Sequence, residues 1–401
     1  MNQATGGTEM TQATPATTRP VTIPRPPRDT RVDIIRGLLQ LTIFASHAGG
    51  SFAGTWLIHK AWGLSDSSEQ FIFLSGFMLG SVMARKTLMQ GWRAGARDMW
   101  WRALNLYRTH LLVFALFGVM IALASKSGLL PGELHRLGWG FMLDHPWQAI
   151  PEALATLYLP EFVNILPVFV WCMAALPLFG WLEARAGAWS LSVPLGLYAA
   201  VWTFGLTPPA LGSDHPLGFN PFAWQVLFML GAWLGRRSLL LGEALPASRW
   251  LTAGAVAVVV FSLWLRLGWY GWLPGGAPLP DLEIIWNKNH LAPLRLLHAL
   301  SLAWLVACLV PRDRAWMHGT LGRWCATGGK YSLQIFCLGL FLSWIATAVF
   351  RLWPAAMVWT DPLMIVAGCF LLLLFAQWLD RRRGAPQGVA ITAPVEPSPS
   401  R

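Results

Sequence analysis

Ten stretches of this chain stay apolar for close to the length, about 20 residues, that a helix needs to cross a hydrocarbon layer of about 30 Å. They run 33 to 52, 69 to 85, 105 to 125, 162 to 182, 189 to 207, 217 to 235, 250 to 270, 293 to 310, 330 to 350 and 357 to 379. Backbone groups at that depth find no water, so open sheet is excluded, and the stretches lack the alternation of barrel strands. The expected fold class is an all-α integral membrane protein, a bundle of about ten transmembrane helices. Composition agrees, since 55% of residues are hydrophobic and 12% charged, against about 25% charged in a soluble domain. Trp outnumbers Tyr by 25 to 5, as suits a chain with two membrane interfaces.

Residues 1 to 30 are rich in Thr, Pro, Ala and Gln and form an expected disordered tail. Residues 31 to 380 then make one polytopic domain, and 381 to 401 a C-terminal tail. Ala45 to Ala48 loosely resembles a signal-peptide cleavage site, but the long polar tail ahead of it and the many spans behind it favour a retained first helix.

Charge in the connections sets the orientation. With the N-terminus inside, 23 of the 30 Lys and Arg residues fall in cytoplasmic sections and 7 in outer ones, while 10 of the 19 acids are outer. The net charge of +11 thus divides into +14 inside and −3 outside. Both termini are expected in the cytoplasm. The basic balance reports topology rather than nucleic-acid binding, and Arg381-Arg382-Arg383 reads as a stop at the lipid surface.

Several chemistries lack their motifs. No cysteine pair among Cys172, Cys308, Cys325, Cys337 and Cys369 has metal-ligand spacing, so no bound metal is expected. Neither a GxxxxGK phosphate loop nor a GxSxG elbow occurs. Two outer connections, 126 to 161 and 271 to 292, are long enough to be binding loops and carry scattered acids, His, Asn and Lys.

The ionisable groups inside apolar stretches are the functional candidates, because such groups are costly in lipid. Arg36 and His47 share the first stretch, about 16 Å apart along a helix and about three full turns apart, hence on one side of it. Glu69 begins the second stretch with Asp66 just before it, and Ser75-Gly76 lies within it. Each has a plain alternative: a snorkelling arginine, a histidine satisfied by a carbonyl, acids favoured by a helix N-terminus, and a close-packing patch between helices.

Arg36, ten intervening residues and His47, followed by Phe73-Leu74-Ser75-Gly76-Phe77, resemble the signature of the membrane-bound acyltransferase-three superfamily. SDSSEQFIFLSGF at 65 to 77, RALNLYRTH at 102 to 110, FVNILPVFV at 162 to 170, FNPFAWQVLFMLGAWLG at 219 to 235, NKNHLAPLRLLH at 287 to 298 and YSLQIFCLG at 331 to 339 are similar to the OpgC family. Asn164 departs from that family's expected acid before ILP.

The resemblance implies a multi-pass protein of the bacterial inner membrane that passes succinyl from cytoplasmic acyl-CoA to a periplasmic glucan. Acyl-CoA is then the donor substrate, no cofactor is bound, and the partners are the bilayer, acyl-CoA and the glucan or another envelope polysaccharide. His47 is expected as base or transient acyl acceptor, since a neutral imidazole keeps one lone pair. Glu69, with Asp66 as its rival, would orient it, and Ser75 would donate to the thioester or oxyanion. Arg36, Arg93, Arg97, Arg102 and Arg108 would attract the acyl-CoA phosphates. Trp56 and Trp62 would stack on sugar, if they are not interface anchors. An acetyltransferase for another polysaccharide and a transporter without acyl chemistry are the alternatives; no internal repeat supports the transporter.

Overall fold

A computed structural model describes residues 29–209, 218–274 and 281–383. The expected tails therefore lie almost wholly outside the described residues. Within them every regular element is helical, and a helix occupies each of the ten apolar stretches. These are α1 (Thr30–His47), α2 (Ser67–Gln90), α3 (Trp92–Lys126), α4 (Leu166–Ala186), α5 (Ser192–Phe204), α6 (Pro221–Leu241), α7 (Arg249–Trp269), α8 (Pro293–Leu309), α9 (Ser332–Leu352) and α10 (Met357–Arg382).

Among the described residues six helical stretches are long and apolar enough to cross a membrane: α2, α3, the continuous run 166–204, α7, α9 and the run 354–382. The expected count of ten is not reached on that measure, for local reasons. Gly187–Leu191 makes a 3-10 turn that joins α4 to α5, and α5 at 13 residues is only about 20 Å long. α8 has 17 residues. α1 carries Asp33 and Arg36, and α6 carries Arg236 and Arg237. In the other direction α3 runs 35 residues, about 52 Å, because its basic first turns keep helical propensity without being apolar.

Local chemistry marks the boundaries. Asp29 caps α1 by accepting from the Arg31 amide, and α1 stops at His47, before Gly49-Gly50, where Gly50 takes φ +93°. Asp66 caps α2 in a reciprocal box with Glu69. Gly91 alone, at φ +82°, separates α2 from α3. Pro221 and Pro293 open α6 and α8, where a missing N–H costs nothing.

The tightest crossing joins α2 and α6. A Cβ on Gly76 would lie 2.0 Å from the Phe228 carbonyl oxygen, and one on Gly235 would lie 1.9 Å from that of Phe77. Gly80 and Gly231 meet equally close backbone, so paired small residues let the two helices touch main chain to main chain. Ser81 Oγ donates to the Gly235 carbonyl across this seam at 2.7 Å. α1 makes a similar approach to the short helix Thr320–Lys330, with Gly37 against the Cys325 carbonyl. The Thr42 and Ser67 hydroxyls, 2.6 Å apart, pin α1 to the start of antiparallel α2. That pairing puts His47 and Asp66 at one end of the bundle and Arg36 towards the other.

Candidate active site

Arg36 turns inward between α2 and α9. Its Nη2 donates to Ser332 Oγ at 2.6 Å, at the start of α9, and its Nη1 lies 2.9 Å from Met78 Sδ. The guanidinium also sits 5.6 Å from the Phe71 ring centroid. Phe71, Ser75 and Met78 are spaced by four and three residues and so share one face of α2. Buried Ser75 accordingly faces the Arg36 side, while Gly76 beside it faces α6.

From the Thr42–Ser67 contact, helical rise places Ser75 about 20 Å from His47 along the axis. The structure therefore pairs Ser75 with Arg36 by level and does not bring it to His47. An oxyanion forming at His47 is beyond its reach.

His47 is oriented by its own helix. Its Nδ1 lies 2.8 Å from the Ile43 carbonyl oxygen, which only accepts, so Nδ1 carries the proton and Nε2 keeps the lone pair. The imidazole rests against Phe162 with ring centroids 5.9 Å apart. Phe162 holds φ +73°, unusual for a bulky residue and a form of strain that gathers at functional sites. Thr347 Oγ1 accepts from the Gly49 amide at 2.8 Å, which ties the end of α1 to α9.

Among the described residues no carboxylate bonds the imidazole. Glu69, fully buried, spends Oε1 on Arg295, whose Nε donates at 2.9 Å and whose Nη2 also contacts it, and spends Oε2 on the Asp66 amide at 3.0 Å. Asp66 accepts from the Ser68 amide at 2.8 Å and from Lys288 Nζ at 2.6 Å. Burial alone would raise the Asp66 carboxyl, but the Lys288 and Arg295 cations hold it well below the usual carboxylate range. The expected Glu69 contact with His47 is thus replaced by the Ile43 carbonyl. The acids and His47 nevertheless share one end of the bundle.

Sequence reasoning missed Arg295, Lys288 and His298. Arg295 is 6% exposed and donates to Glu69 through Nε and Nη2. His298 Nδ1 accepts from the Ser65 amide at 3.1 Å, and its ring fills the space over Gly63. For Arg295 and His298 the signal was the one used for Arg36 and His47, ionisable groups in an apolar stretch, but Arg295 counted only as an outer charge; Lys288 lies in the outer connection 271 to 292.

Arg93, Arg97, Arg102 and Arg108 are exposed along α3. Arg102 pairs with Asp98 at 2.8 Å, and Arg108 lies over Trp101. They line the outside of the bundle, whereas Arg36 points into it. Trp56 and Trp62 belong to a four-ring cluster with Tyr270 and Trp272, in which Trp56 stacks on Trp272 at 5.5 Å. Trp62 Nε1 donates to the Trp56 carbonyl, and Tyr270 and Arg266 bond carbonyls of Lys60, Ala61 and Gly63. Half-exposed Trp62 and Trp272 are thereby held rigid at the His47 end.

An all-helical bundle with six stretches, among the described residues, long and apolar enough to cross a membrane, and with His47 beside a paired ion cluster at one end and an inward arginine towards the other, defines a helical membrane protein. The family model described as OpgC protein matches residues 28–384, and the chain belongs to that family. No curated protein and no solved structure matches it.

Proposed function

We propose that the protein is an O-acyltransferase of the bacterial inner membrane that moves succinyl from cytoplasmic acyl-CoA to hydroxyls of a periplasmic glucan. The observation that carries this reading is the placement of Arg36 and His47 on one inner side of α1, with His47 Nε2 left as a free base by the Ile43 bond. Family membership supports acyl transfer, and loop charge supports the direction. In this reading both termini are cytoplasmic, ten passes are made by residues 31 to 380, and the Arg36 end faces the compartment that holds acyl-CoA.

Arg36 receives the donor phosphates as charge-assisted bonds, and the thioester reaches up the bundle to His47. The exposed arginines of α3 raise the local concentration of the anionic donor rather than contact it at the reacting end. A glucan hydroxyl gives its proton to His47 Nε2 as its oxygen attacks the thioester carbonyl. The tetrahedral oxyanion then collapses, the C–S bond breaks, and the thiolate takes the proton back from the imidazolium. The Trp56–Trp62–Tyr270–Trp272 cluster offers aromatic faces to the glucan chain.

The test is His47→Ala in cells, read by the mass of periplasmic glucans. Loss of the succinyl increment with normal membrane levels of the variant is expected; wild-type increments in that variant overturn the reading.

A further inference from the structure

A third polar side chain stands on the face of α1 that carries Arg36 and His47. Gln40 follows Arg36 by four residues and precedes His47 by seven, and at 100° per residue all three project within about 40° of one another. By rise, Gln40 lies about 6 Å from the level of Arg36 and about 10 Å from that of His47.

Gln40 is 2% exposed, and both of its amide atoms, Oε1 and Nε2, are buried with no hydrogen-bond partner among the described residues. Burying an unsatisfied amide is costly. An apolar residue of the same volume would avoid that cost, so a donor and an acceptor held ready here point to a ligand that brings the complementary pair. A secondary amide does so, because its N–H meets Oε1 and its carbonyl meets Nε2.

We propose that Gln40 binds an amide of the pantetheine arm of the acyl-CoA donor as the arm passes from Arg36 to His47. This rests on the acyl-transfer reading above and names how the donor is threaded through the bundle. Extended, the arm has about the reach of five peptide units, roughly 16–18 Å. That matches the rise of about 16 Å between Arg36 and His47. Phosphate at Arg36 and thioester at His47 then fix the register, and the amide nearer the phosphate end falls at Gln40. Gln40 is a donor-binding residue that takes no part in the proton transfer.

The experiment compares wild type with Gln40→Leu, using the full chain in detergent and two donors. Affinity for succinyl-CoA is read directly by ligand-induced thermal shift. Transfer to glucan is read with succinyl-CoA and with the succinyl thioester of N-acetylcysteamine, which lacks the amide nearer the phosphate end. Gln40→Leu should weaken succinyl-CoA binding and raise its KM about tenfold, with kcat at saturation kept and with the short donor used as by wild type.

Unchanged succinyl-CoA affinity overturns the proposal and leaves a buried water as the partner of Gln40. An equal loss with both donors also overturns it, since the effect is then on the fold or the reacting end. Should Gln40→Leu not fold, Gln40→Met supplies the same comparison. Failure of the acyl-transfer reading appears separately: His47→Ala then transfers like wild type, while the binding arm still reports on Gln40. Wild type that binds no succinyl-CoA sinks both.

Discussion

The Arg295 guanidinium and the Glu69 carboxylate form a buried pair, with Nε 2.9 Å from Oε1 and the side chains 8% and 0% exposed. It ties the first turn of α8 to the first turn of α2. Glu69→Gln therefore strands a buried cation rather than loosening His47. A loss of about 3–5 kcal/mol is expected, seen as a large fall in thermal midpoint in detergent. The double variant Glu69→Gln, Arg295→Met should recover much of it. A stable single variant with selectively altered turnover would return Glu69 to the catalytic centre.

Arg36→Ala should raise the KM for succinyl-CoA about tenfold or more while leaving kcat at saturation within a fewfold of wild type. The cause is the loss of charge-assisted bonds to the donor phosphates. A short thioester donor without phosphates should be used equally by both proteins. Parallel loss on both donors would show instead that the bonds to Ser332 and Met78 hold the bundle together.

Gly76→Ala should destabilise the protein by about 1–3 kcal/mol, because its Cβ meets the Phe228 carbonyl oxygen at 2.0 Å and rigid backbone has to give way. Gly196→Ala is the control. Nothing lies within 4 Å of a Cβ there, so a neutral or slightly raised midpoint is expected from the gain in helix propensity.

Glu133 anchors the connection after α3. Its fully buried carboxylate accepts from Arg136 Nε at 2.9 Å and from Trp344 Nε1 at 2.9 Å, and pairs with Arg351. Burial opposes ionisation, but these bonds outweigh it and hold the carboxyl at about 2 instead of 4.5. A carboxyl lowered on folding contributes stability that is complete above its ordinary value and is lost as pH falls through about 2. Glu133→Gln should lower the thermal midpoint at neutral pH, and the gap to wild type should narrow as pH drops from about 4.5 to about 2. A gap independent of pH would mean that packing, not charge, is lost.

Length and apolarity were enough to place a helix in each of the ten stretches, since a chain in lipid has to satisfy its backbone locally. They did not report how far each helix extends. The 3-10 turn at Gly187–Leu191 and the basic extension of α3 are settled by local backbone conformation and by propensity in residues that are not apolar. Likewise the periodicity of α1 put Arg36 and His47 on one face, because that relation is internal to a single helix.

Relations between helices lay beyond the sequence. Glu69 and Asp66 were visible as acids beside a histidine, but their partners Arg295 and Lys288 are 226 and 222 residues away. Ser75 and Gly76 are neighbours in sequence yet face Arg36 and α6 respectively, which only the α2–α6 crossing decides. What the chain determined by itself is therefore the helices and the inner face of α1. Tertiary packing alone decided which acid meets which cation, and left the Ile43 carbonyl, four residues back on the same helix, as the group that orients His47.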